Sequence, residues 1–89
     1  MPEMTLTIHH KSGLHARPAA MFVQTANKYQ SVIKVKHGER EVNAKSIMGI
    51  LTLGASQGAV VTVRAEGDDA DLALSGLREL VENNFGEQP

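Results

Sequence analysis

Apolar residues in this chain switch repeatedly between a spacing of two and a spacing of three to four, so each element buries one face and leaves the other in water. "MTLTIHH" alternates, with Met4, Leu6 and Ile8 on one side, and reads as a strand. "KSGLH" breaks it. From Ala16 to Lys28, residues Ala19, Phe22, Val23 and Ala26 fall at helical spacing. "SVIKVKHGEREVNA" reads as a hairpin, with Val32, Ile33 and Val35 in its first strand, Arg40 to Val42 in its second, and Gly38 in the turn. Ser46 opens a short helical segment, "SIMGILTL", closed by Gly54. The β-branched run between Gly58 and Gly67 is a further strand. "DDADLALSGLRELVENNF" is the last helix, capped by Asp68 or Asp69, with acids in its first turn, Leu74, Leu77, Val81 and Phe85 along one face, and Asn84 and Gly86 at its end.

The resulting order is β-α-β-β-α-β-α. A chain of 89 residues has room for one core, so residues 1–89 are read as a single domain. Short strands with helices segregated from them predict an α+β sandwich, a mostly antiparallel sheet covered on one face and solvated on the other. Aromatic residues number three, Phe22, Tyr29 and Phe85, so the core is expected to be built from Val, Ile, Leu, Ala and Met.

Several function classes are disfavoured at once. The chain has no cysteine, which removes thiolate catalysis and cysteine-based zinc sites and fits the cytosol. "MPEMTLTIHH" lacks the basic start and apolar run of a signal peptide, and no stretch is long and apolar enough to span a membrane. A net charge of −1 argues against a nucleic-acid binder. Residues 1–45 carry seven bases and three acids, while residues 46–89 carry two bases and seven acids. This asymmetry reads as an ordinary spread along the chain. His9 and His10 are adjacent on a strand and point to opposite faces, so they do not chelate one metal. His37 lies by the hairpin turn and is expected in solvent. Neither a metal nor a cofactor is expected.

"SGLHARPAAMF" is the first stretch that carries chemistry. Pro18 is tolerated only in the first turn of a helix, where backbone N–H groups have no partner to lose, so the helix begins near Ala16 and His15 stands at its N-cap. Ser, Thr, Asp and Asn are the usual residues there. A neutral imidazole keeps a lone pair and is a nucleophile at neutral pH. A phosphoryl group on it would face the partial positive charge and free N–H groups of the helix start, at Ala16 and Arg17. The Arg17 guanidinium adds charge-assisted hydrogen bonds. Gly13 permits the sharp turn that leaves the ring exposed.

"NAKSIMGILTLG" is the second. Ser46 suits an N-cap, and Ile47, Met48, Ile50, Leu51 and Leu53 exceed what one buried face of so short a helix can hold. Some of them are therefore expected at the surface as a contact patch. A phosphate on Ser46 would sit beside that patch and repel an acidic partner, a switch that works through the interface without a change of fold.

With "GLHARPAA" at 13–20 and "KSIMGILTLG" at 45–54, the sequence resembles HPr, the histidine-containing phosphocarrier family of the bacterial phosphoenolpyruvate-dependent sugar phosphotransferase system. The resemblance spans essentially the whole chain. It implies an open-faced β-sandwich with strand order 1-4-2-3, covered on one face by three helices. It also implies that His15 accepts a phosphoryl group at Nδ1 from phospho-enzyme I and donates it to a sugar-specific enzyme IIA, with Arg17 on the phosphate. Ser46 matches the regulatory serine that an HPr kinase/phosphorylase modifies in some members, whose product acts as corepressor with a catabolite-control protein. Ala16, Ala20, Met21, Ile47, Met48 and Leu51 match the partner-docking face. The implied protein is a cytoplasmic carrier consumed and regenerated stoichiometrically, and is not an enzyme in the turnover sense. It is expected to be a monomer.

Other readings are a regulatory module of the same fold in carbon or nitrogen control, and a small acylphosphatase-like hydrolase using Arg17 at an anion site. The hydrolase would need a glycine-rich phosphate loop with suitable flanks, which the sequence does not offer. A nucleic-acid module would need a basic, aromatic sheet face.

Overall fold

A computed structural model describes residues 2–87; the ends of the expected 1–89 domain, Met1, Gln88 and Pro89, lie outside the described residues. The elements are β1 (Glu3–Thr7), α1 (Ala16–Ala26), β2 (Val32–His37), β3 (Arg40–Asn43), α2 (Ile47–Thr52), β4 (Val60–Glu66) and α3 (Ala70–Glu82), followed by a short turn at Asn84–Gly86. The four strands form one sheet in the order β1-β4-β2-β3, and each neighbouring pair is antiparallel. The expected orders of elements and of strands are thus found, with the helices packed on one face.

Register follows from the alternation in the sequence. Met4 stands opposite Val63 and Leu6 opposite Val61 across β1 and β4, while Ile33 faces Ala65 and Val35 faces Val63 across β2 and β4. All of these side chains are buried. A slip by one residue would turn the whole set into water, so the buried face pins the pairing. The opposite face carries Thr5, Thr62, Lys34, Lys36 and Arg64 and remains open.

Two aromatic residues depart from the expected core composition. Phe22 of α1 and Phe85 of the final turn are fully enclosed among the aliphatic residues, and Tyr29 packs at the rim. Large rings fill the space between the two long helices and the sheet that Ala19, Ala26 and Ala73 leave open.

Helix ends also differ from expectation. Helix α1 stops at Ala26, two residues early, because Asn27 caps it: its backbone N–H and its side-chain amide both donate to the carbonyl of Val23. Helix α3 stops at Glu82. Asn84 and Phe85 then take positive φ values of 52° and 57°, a conformation asparagine tolerates and phenylalanine does not favour. Burial of the Phe85 ring offsets that cost.

Asp69 occupies the N-cap of α3 without capping it. Its carboxylate instead accepts from the backbone N–H of Gln30 at 2.9 Å, from the N–H of Ser31 at 3.0 Å, and from the Ser31 hydroxyl. It thereby ties the β4–α3 connection to the α1–β2 connection. Gly67 makes the approach possible, since a Cβ there would lie 2.6 Å from the Ser31 Oγ. Hydrogen bonds to Ser31, and to the Gln30 backbone after it, hold the Asp69 carboxyl below its ordinary pKa.

A carboxylate with a lowered folded-state pKa contributes stability that is complete above its unfolded value of about 3.9 and is lost as pH falls through the folded value. Urea unfolding of the wild-type chain should therefore weaken below about pH 4 more steeply than that of Asp69→Asn, which lacks the titrating group. Parallel slopes for the two proteins would refute this role of Asp69.

Candidate functional site

His15 is the N-cap of α1, with extended backbone at φ −143° and ψ 160°. Its side chain makes no capping hydrogen bond and is exposed. The next residue, Ala16, has φ +50°, so the chain enters the helix through a left-handed residue. The first backbone bond of the helix, from Ala19 N–H to the His15 carbonyl, is long at 3.4 Å. Amides at the helix start are thus left without intrahelical partners. Pro18 is buried in the first turn and has no amide to leave unsatisfied. Arg17 is exposed, and among the described residues its guanidinium joins no ion pair.

The loop before His15 is held by backbone. The Gly13 N–H donates to the His10 carbonyl at 2.9 Å, and the Leu14 N–H donates to the Ala55 carbonyl at 2.7 Å. Gly13 has φ +65°, and a Cβ on it would stand 2.3 Å from the Ala55 oxygen and 2.6 Å from the Ser56 Cα. Glycine is therefore required for two reasons, the backbone angle and the proximity of a second strand of main chain. Leu14 drops into the core and acts as the anchor for the exposed residue that follows.

This arrangement brings the α2 region to His15. A shallow depression is lined by Ser12, Leu14, His15, Leu51, Gly54, Ala55 and Ser56. The α2 segment divides as its surplus of apolar residues required. Ile50 and Leu53 are buried, whereas Ile47, Met48 and Leu51 are 40%, 69% and 36% exposed. On the α1 side, Ala16 is exposed and Ala20 and Met21 are half-buried. The six residues expected on a docking face lie on α1 and α2, which pack together, and Leu51 among them shares the depression with His15.

Ser46 caps α2. Its Oγ accepts the Gly49 N–H at 3.1 Å, and its carbonyl accepts the Ile50 N–H at 3.0 Å. The residue is half-buried. Its neighbour Lys45 spans to the end of α1, where Nζ donates to the Tyr29 carbonyl at 2.6 Å. Asn27 Nδ2 reaches the Lys45 carbonyl from the other side at 3.4 Å.

The remaining histidines behave differently from expectation. His10 lies beyond the end of β1 and is buried; His9 is exposed, so the two do point apart. His37 is half-buried, with Nδ1 3.2 Å from the Leu53 carbonyl at the end of α2, because the hairpin folds back over that helix. Among the described residues, no three His, Cys, Asp or Glu side chains gather where they could hold a metal ion. Among them, too, no helix is long and apolar enough to cross a membrane. The Leu14–Ala55 bond and the depression shared by His15, Leu51 and Gly54 join positions far apart in the chain, and only the Gly13 turn carried a local sign of them.

An exposed histidine thus stands at a proline-bearing helix start on an open-faced sandwich with strand order 1-4-2-3, the arrangement that the HPr resemblance implies. A family model described as the PTS HPr component phosphorylation site matches residues 2–83. The chain is 52% identical over 87 residues to phosphocarrier protein HPr of Xylella fastidiosa (strain Temecula1 / ATCC 700964), covering 98% of each chain. A crystal structure of HPr from Thermoanaerobacter tengcongensis, 56% identical, superposes with a TM-score of 0.98 over the full length of both chains. The catabolite repression protein Crh of Bacillus subtilis, in its domain-swapped dimer, is 42% identical with a TM-score of 0.74, covering 93% of this chain and 95% of Crh. The chain belongs to the HPr family of phosphocarrier proteins of the phosphotransferase system.

The glycine at 13 offers a direct check on the site. Gly13→Ala should lower stability by about 2 kcal/mol, from the positive φ and the forced retreat of the 55–56 backbone. The thermal midpoint measures it, and an unchanged midpoint would contradict the close approach described.

Proposed function

We propose that His15 is the phosphoryl acceptor and donor of this chain. Its Nδ1 lone pair attacks the phosphorus carried by phospho-enzyme I. A nitrogen–phosphorus bond forms as the bond from phosphorus to the donor atom of enzyme I breaks, and that bond's electron pair stays with the donor. The ring must present an unprotonated Nδ1, with its proton on Nε2. The same sequence in reverse order of roles hands the group to a sugar-specific enzyme IIA. The chain is a stoichiometric carrier in this reading, located in the cytoplasm.

The observation that carries the reading is the exposed His15 imidazole, which makes no capping hydrogen bond, at the start of α1 next to Arg17, whose guanidinium joins no ion pair among the described residues. A phosphoryl group there meets the free amides of the helix start and a guanidinium able to bind two of its oxygens. Ala16, Ala20, Met21, Ile47, Met48 and Leu51 form the face on which enzyme I and enzyme IIA dock. Ser46, at the edge of that face, is the site at which an HPr kinase/phosphorylase acts. Its phosphate would repel acidic partners of the carrier cycle and favour a catabolite-control protein. The similarity to Crh favours, as a second reading, a regulatory module signalling by its phosphorylation state without feeding a sugar transporter.

Intact mass after incubation with phosphoenolpyruvate and purified enzyme I tests the carrier role. One phosphoryl group, removed by brief acid, is expected on the wild-type chain and none on His15→Ala, whose fold should be unchanged. Labelling of His15→Ala would overturn the assignment, and acid-stable labelling would move it to a hydroxyl such as Ser46. Met48→Asp should raise the KM for enzyme IIA about tenfold with little change in kcat, since it alters binding common to ground and transition states. Transfer to enzyme IIA at all separates the carrier from the purely regulatory reading.

A further inference from the structure

The His15 side chain makes no capping hydrogen bond among the described residues, so its placement depends on the main chain that precedes it. That chain is fixed at two points. Ile8 exchanges backbone bonds with Ala59 and Gly58, at 2.9 and 2.7 Å, and Leu14 bonds to Ala55. Between them, residues 9–13 cross from β1 to α1, and the residue that organises this span is His10.

His10 is 8% exposed and accepts from two amides in succession. Its carbonyl takes the Gly13 N–H, and its ring Nδ1 takes the Ser12 N–H at 3.0 Å. The second bond requires a lone pair on Nδ1, which puts the ring proton on Nε2. That nitrogen lies 3.1 Å from the Glu87 carboxylate and so donates to it. The ring also meets the edge of Phe85, with centroids 5.8 Å apart and planes at 83°. One imidazole therefore joins the loop before His15 to the turn after α3.

We infer that His10 is a positioning residue for phosphoryl transfer, acting as an Nε2–H tautomer that clamps residues 10–13 and so sets the presentation of the His15 ring. The inference rests on the carrier reading of His15. Nδ1 of His10 does the work of the side-chain oxygen in an Asx-turn, accepting from the amide two residues on. The Glu87 carboxylate selects the tautomer that leaves Nδ1 free to accept.

The two ring nitrogens can be replaced separately. Asparagine at this position offers an acceptor where Nδ1 stood and cannot reach Glu87; glutamine retains a distal amide donor toward Glu87 and loses the near acceptor. Initial rates of phosphoryl acceptance from phosphoenolpyruvate through enzyme I should fall about tenfold in His10→Gln, as expected for a small misplacement of a reacting group, and stay within about twofold of wild type in His10→Asn. Both variants should still reach one phosphoryl group per chain at long times. Ring nitrogen NMR of the wild-type protein should show His10 as the Nε2–H tautomer. A wild-type rate in His10→Gln, equal slowing of both variants, or an Nδ1–H tautomer would overturn the proposal. If the wild-type chain takes no phosphoryl group, the carrier reading itself fails. The clamp is then judged from the backbone amide shifts of Leu14, His15 and Ala16: movement in His10→Gln and not in His10→Asn supports it, and no movement in either overturns it.

Discussion

The hydrogen bond from Leu14 N–H to the Ala55 carbonyl joins the start of α1 to the chain leaving α2, and the rest of the site depends on that join. Gly13 lets the two stretches of main chain approach to a distance no other residue allows. Leu14 fills the core beneath them, and His15 is left outside on a backbone with nowhere else to go. Because α2 ends beside this contact, its exposed residue Leu51 shares a depression with His15. The exposed histidine and the end of α2 are thus placed together by one backbone contact.

The sheet supplies what such a contact needs to be rigid. Its buried face is a row of apolar residues whose register admits no slip. Against it lie two long helices with Phe22 and Phe85 between them and the strands. Polar ties close the layers at their ends: Asp69 on Gln30 and Ser31, Lys45 on Tyr29, and His37 on Leu53. Each of these joins connections that are far apart in the chain, and each lies where backbone groups would otherwise go unpaired. The polar residues hold the loops, while apolar burial holds the layers.

Phosphoryl chemistry at a site of this kind asks little of covalent catalysis and much of position. In the proposed role the start of α1 furnishes amides, Arg17 a guanidinium and the His15 imidazole the nucleophile. Exposure is part of the function, because a carrier must fit the active sites of successive partners. The exposed apolar residues Ile47, Met48 and Leu51 would give the proposed docking face contact that different partners can share.

Much of this was legible in the residues. The alternation of Met4, Leu6 and Ile8, the helical spacing of Ala19, Phe22 and Ala26, and Pro18 two residues into α1 are local signals, and they located the elements and put His15 at a helix start. The excess of apolar residues after Ser46 also foretold that some would face water, although which ones depended on how α2 packs. His10, His37 and Asp69 were not legible. Their partners Glu87, Leu53, Gln30 and Ser31 become neighbours only after the chain has folded back on itself. The sequence by itself determined the strands, the helices and the chemistry available at their ends, because periodicity and capping act over a few residues. Tertiary structure decided the orientation of His15 and its neighbours, because that is set by contacts between segments tens of residues apart.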